Sequence, residues 1–77
     1  MKTGSQNKVI TLQNGMQKAV AEGHPWVYRT QIDSQFQELP PEEKPLAGDL
    51  VEVRDFRGRY LGDGIYNPAS MIAVRLL

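Results

Sequence analysis

The chain has 77 residues, no cysteine, one histidine, and nine basic residues against nine acidic ones. A chain this short buries only about 60% of its unfolded surface, which means one small domain with a thin core. Disulfides and thiolate metal sites are excluded, His24 alone cannot build a metal centre, and no apolar run is long enough to span a membrane. Met1 to Asn7 is polar, lacks the apolar stretch of a secretory leader, and is expected to be a flexible N-terminus on a cytoplasmic protein.

Lys8 to Leu12 (KVITL) is β-rich and short, which predicts a first strand ended by Asn14-Gly15. Met16, Ala19, Val20 and Gly23 recur at helical spacing, predicting two turns of helix that Gly23 closes in a left-handed conformation. His24-Pro25 forces extended backbone, and Trp26-Val27-Tyr28 follows as a short strand with Ile32 as a further anchor. Residues 33–47 carry Pro40, Pro41 and Pro45 among polar and acidic residues and read as an acidic, proline-rich loop.

From Gly48 the pattern becomes regular. Val51 and Val53 point one way, and Leu50, Glu52 and Arg54 the other. Asp55-Phe56-Arg57-Gly58 has Asp and Gly at the first and fourth positions that a type I turn prefers. Arg59 to Tyr66 is the partner strand, and Gly62 and Gly64 mark a bend or a close backbone approach. Asn67-Pro68-Ala69-Ser70 is another turn, and Met71 to Leu76 a last alternating strand. The expected fold is mainly β with a short helix, a small pseudo-barrel of mixed and antiparallel strands over residues 8–77. Ending on an apolar strand at Leu77, the chain reads as a piece of a longer polypeptide.

The zero net charge argues against nucleic acid until its distribution is considered. Asp33, Glu38, Glu42 and Glu43 fall within residues 33–45 beside Lys44, so eight basic and five acidic residues occupy the rest. That remainder is mildly basic, which permits RNA contact without demanding it.

Four stretches carry a resemblance. Gly23-His24-Pro25-Trp26-Val27-Tyr28, Gly48 to Val53 (GDLVEV), Gly62 to Ser70 (GDGIYNPAS) and Ile72 to Arg75 (IAVR) resemble, in order and spacing, the N-terminal region of the rRNA large subunit methyltransferase I family. The resemblance covers roughly Val9 to Leu77 and implies a PUA domain that binds RNA. It further implies that a C-terminal Rossmann-like domain of the parent uses S-adenosylmethionine to methylate carbon 5 of a cytosine in large-subunit ribosomal RNA. This chain has no Gly-rich cofactor loop and no cysteine nucleophile, so no catalytic, cofactor or metal residue is expected within it.

The resemblance points to residues from Gly23 to Arg29 as the RNA contact. Trp26 is read first as the largest side chain of the core, with stacking on an unpaired base as the alternative. His24 either bonds RNA or caps the helix, and Tyr28 is open between the two roles. Arg29, Arg57, Arg59 and Arg75 suit phosphate because the guanidinium donates two parallel hydrogen bonds. For Arg57 and Arg59 the competing role is a solvated hairpin tip; for Arg75 it is an ion pair with Asp63 or Glu52. Gly62, Gly64, Asn67 and Ser70 are read first as fold devices. The alternative to an RNA module is an interaction module that packs on the catalytic domain or forms a homodimer with a second copy.

Overall fold

A computed structural model describes residues 8–77, so the expectation for residues 1–7 lies outside the described residues. Five strands form one sheet: β1 (Lys8–Thr11), β2 (Trp26–Tyr28), β3 (Leu50–Arg54), β4 (Tyr60–Tyr66) and β5 (Ile72–Leu76). The spatial order is β1-β3-β4-β5-β2. β1 runs parallel to β3, and every other pairing is antiparallel. The expected meander of the C-terminal half is therefore present, with the two N-terminal strands added at its edges.

Those two edges are joined to each other. Leu12, just past β1, bridges Ile32, just past β2. The Asp33 N–H donates to the Thr11 carbonyl at 2.8 Å and the Gln13 N–H to the Gln31 carbonyl at 2.8 Å. The Gln13 side-chain amide adds bonds to the Thr30 and Ile32 carbonyls. Backbone groups that an open sheet would leave at its edges are paired here, and the sheet closes into the small pseudo-barrel of mixed strands expected.

The core follows from strand alternation. Ile10, Val51 and Val53 point inward from β1 and β3, Val27 from β2, Tyr66 from β4, and Ala73 and Val74 from β5. Most are β-branched, stiff residues that pack well on a pleated surface. The fit is tightest at Gly64: a Cβ there would lie 2.6 Å from Val74 Cγ1 and 2.8 Å from the Arg75 carbonyl oxygen. The sequence marked this glycine as a bend or close approach, and close approach is the reason for it.

The helix is shorter than expected. α1 spans Gln17–Ala21, and Met16 at its start supplies no side-chain cap. Its far end is well closed. Gly23 has φ of +98° and donates its N–H to the Val20 carbonyl, while the His24 N–H donates to the Ala19 carbonyl, both at 3.0 Å. This paired arrangement satisfies two of the helix's last carbonyls and confirms the left-handed ending at Gly23. Val20 packs against the core.

The segment 33–47 holds more order than a bare loop. Two 3-10 turns occupy Ser34–Glu38 and Pro41–Glu43. Phe36 is buried and meets Tyr66 edge to face, with ring centroids 6.0 Å apart. Lys8 donates to the Glu42 carbonyl and Lys44 to the Gln37 carbonyl. The acidic segment thus lies along β1.

Candidate nucleic-acid interface

Alternation along β2 decides which side chains face solvent. Three residues offer one inward position, and Val27 takes it with 0% exposure. Trp26 and Tyr28 therefore project outward, at 46% and 40% exposure. This corrects the reading of Trp26 as a core plug. The interior is already filled by small β-branched residues, and an indole there would overpack it.

Register extends this outward face across the sheet. Trp26 pairs with Arg75, Arg75 with Ile65, and Ile65 with Leu50. Cross-strand partners share a face with Cβ atoms about 5 Å apart, so these four form one outward row over β2, β5, β4 and β3. Tyr28 pairs with Ile72 after a bulge, and Arg29 follows directly. The Arg29 N–H donates to the Met71 carbonyl at 2.9 Å, and its guanidinium reaches the Met71 sulfur at 3.3 Å. Burial pushes the Tyr66 phenol above its ordinary range, and the Arg29 charge acts in the opposite direction.

Neither acid that could have neutralised Arg75 pairs with it. Glu52 pairs with Arg54 at 3.0 Å. Asp63 lies close enough to Tyr60 to hold that phenol above its ordinary range. Among the described residues the ion pairs are Arg54–Glu52 and Arg59–Asp55, so neither Arg75 nor Arg29 has a carboxylate partner. The alternative role of Arg75, an ion pair with Asp63 or Glu52, is not formed.

Beside Arg75 a groove of about 360 Å³ is lined by Ile65, Asn67, Ser70 and Ile72. The turn between β4 and β5 builds its rim. Asn67 Oδ1 accepts from the Ala69 N–H at 3.1 Å, and Ser70 Oγ accepts from the Ile72 N–H at 3.1 Å. These bonds confirm both residues as turn devices and leave their donor groups, the Asn67 amide NH₂ and the Ser70 hydroxyl hydrogen, uncommitted by the turn.

The remaining expected site residues fall in two other places. Gly23 and His24 lie with Pro25, Leu61, Gly62 and Leu76 in a shallow cleft beyond the end of the Trp26–Arg75 row. His24 caps the helix through its backbone N–H, and its side chain is exposed. Arg57 and Arg59 sit at the β3–β4 hairpin tip, beside a polar hollow of about 240 Å³ that Asn14, Gln17 and Phe56 also line. β4 rises about 3.3 Å per residue, so the tip lies roughly 16 Å along the sheet from Ile65.

Asp55 organises that tip. Only 3% exposed, it accepts from the Arg57 and Arg59 N–H groups at 2.9 and 2.8 Å and from Arg59 Nε at 3.0 Å. The bond from the Arg59 backbone, then those from the Arg57 backbone and the Arg59 guanidinium, hold its carboxyl below the ordinary range, against burial, which raises it. The Gly58 N–H closes the expected turn on the Asp55 carbonyl at 2.9 Å. Sequence reasoning placed Asp55 at the head of this turn but missed its burial. The signal available was an Asp followed two and four residues later by arginines.

A five-strand pseudo-barrel with an aromatic and arginine-bearing outer face is the architecture of a small binding module. The chain belongs to the family of PUA-like domains, which it matches over residues 10–77. It is 37% identical over 67 residues to a ribosomal RNA large subunit methyltransferase I of Photobacterium profundum, covering 87% of this chain and 16% of that protein. It is 33% identical over 67 residues to the protein of the same name from Tolumonas auensis, covering 87% and 15%. A ribosomal RNA large subunit methyltransferase of Deinococcus radiodurans is 38% identical over 58 residues, covering 75% and 13%. The chain thus spans less than one fifth of the length of these relatives. Among the described residues no cluster of His, Asp or Glu could hold a metal ion, and no helix is long and apolar enough to cross a membrane.

Proposed function

We propose that this domain is the RNA-gripping module of an S-adenosylmethionine-dependent methyltransferase acting on cytosine C5 of large-subunit ribosomal RNA. The observation that carries the RNA role is the outward Trp26 paired in register with Arg75, a guanidinium without a carboxylate partner among the described residues, as is that of Arg29 further along the chain. An exposed indole offers a stacking surface, and a free guanidinium offers two parallel donors to a phosphate. Trp26, Tyr28, Arg29 and Arg75 form the contact surface. Gly23 and His24 belong to the separate cleft beside Leu61 and Leu76, and Arg57 and Arg59 serve the hairpin tip. The similarity to rRNA methyltransferases supports the parent activity; the nucleophile of cytosine-C5 methylation would be a cysteine, and this chain has none.

The Leu50–Ile65 end of the row supports a second reading, since both side chains are exposed and apolar. That end of the face packs against the rest of the parent polypeptide or a second copy. Titration of the 77-residue chain with a structured ribosomal RNA fragment tests the RNA role. Binding is expected at low salt and weakens as salt rises because phosphate contacts release counterions, with a shallow slope since few are made. No binding at low salt would overturn this reading and leave the interaction module.

A further inference from the structure

We infer that the groove between Ile65 and Ile72, with Asn67, Ser70 and Arg75 at its rim, receives one unpaired nucleotide, so that the domain grips looped or single-stranded RNA rather than a duplex. This deepens the RNA-binding reading and rests on it. The groove's volume of about 360 Å³ lies within the range of small-ligand sites. Its floor is aliphatic and suits the face of a base.

The polar groups at its rim share one character. Asn67 spends its Oδ1 on the Ala69 N–H, which fixes the amide with its NH₂ directed away from that bond. Ser70 spends an acceptor position of Oγ on the Ile72 N–H and keeps its hydroxyl hydrogen. Arg75 is a pure donor with no carboxylate partner. A site whose free groups are donors takes an acceptor-rich ligand, such as base carbonyls and phosphate oxygens. An acidic protein segment would supply acceptors too, but not a flat face for the Ile65–Ile72 floor and the neighbouring indole.

Register gives the path of the strand. Arg75 stands between Trp26 on β2 and Ile65 on β4, and these flanking strands lie about 10 Å apart. A base in the groove and the next base on Trp26 put their linking phosphate against Arg75. Paired bases are stacked within a helix and cannot splay in this way, whereas unpaired ones can.

The test uses the 77-residue chain, an RNA hairpin with a six-nucleotide loop, and a blunt duplex of the same stem. Asn67→Asp keeps the Oδ1 that the turn needs and replaces the donor with a charged acceptor. The variant is expected to lose about tenfold in affinity for the loop RNA while its duplex affinity stays within about twofold. In the wild type, adding loop RNA is expected to shift the Asn67 side-chain NH₂ resonances, a readout that needs no variant to fold. Equal wild-type affinity for loop and duplex, with unshifted Asn67 resonances, overturns the groove assignment and leaves the RNA role standing. Failure to bind either RNA overturns the RNA role as well. If an acidic peptide shifts the Asn67 resonances and loop RNA does not, the occupant is protein and the inference fails.

Discussion

Two regions of this domain carry arginines at similar density and use them in opposite ways. At the hairpin tip, buried Asp55 gathers the backbone of Arg57 and both the backbone and side chain of Arg59. On the β2–β5 side, Arg29 and Arg75 have no carboxylate partner among the described residues, and Glu52 is taken by Arg54. At the tip the Arg59 charge is spent on holding a turn while Arg57 lends Asp55 only its backbone N–H, and the sheet face roughly 16 Å away keeps the Arg75 charge available for a ligand. A residue census cannot make this distinction, because it depends on which acids the fold has already engaged.

The largest expected effect removes what both regions share. Gly64→Ala drives a methyl group into Val74 and the Arg75 carbonyl, and overpacking of this kind costs about 3 kcal/mol. In a thermal melt the midpoint should fall by more than about 10 °C, with RNA binding lost alongside it. A midpoint within a few degrees of wild type would show that β4 and β5 can separate freely.

Asp55→Ala should come next, and it should divide the two regions. It lowers the melting midpoint by less than Gly64→Ala while leaving RNA affinity nearly unchanged. The effect has a pH signature. The folded carboxyl titrates below its ordinary value of 3.8, so its contribution is fully present above that value and fades as pH falls through the lower folded one. The gap in melting midpoint between wild type and variant should close below about pH 4. A gap that persists unchanged to pH 2 would remove the carboxylate from the account.

Trp26→Ala should do the reverse. Loss of one base-stacking surface costs about 1–3 kcal/mol of RNA affinity. Because Trp26 is half exposed, the melting midpoint should stay within a few degrees of wild type. A large drop in stability with unchanged affinity would return Trp26 to a packing role. Smallest of all is Arg57→Ala, expected to change RNA affinity by less than twofold, about 0.4 kcal/mol or less.

Much of this fold was legible because β3 alternates cleanly and β3, β4 and β5 are joined by turns with the expected residues, although adjacent Ala73 and Val74 are both buried in β5. Gly23 was legible from helix spacing, and Gly64 from its place within a strand. The orientation of Trp26 was not, because a three-residue strand fits either phase and only the pairing of Val27 with Val74 selects one. Phe36 was hidden among prolines and acids, whose composition says loop even where one ring reaches the core. The parallel pairing of β1 with β3 joins residues more than forty positions apart, beyond any local pattern. At the candidate site the residue types were legible, but the sheet register that unites Trp26 and Arg75 and separates them from Arg57 was not.

The difference between the two arginine regions is tested most directly by the salt dependence of RNA binding for wild type, Arg75→Ala and Arg57→Ala. Each phosphate contact contributes about 0.7–0.9 to the slope of log affinity against log salt. Arg75→Ala should reduce the slope by about that amount, and Arg57→Ala should leave it as in wild type. A slope reduced by Arg57→Ala and unchanged by Arg75→Ala would contradict the account and move the RNA contact to the hairpin tip.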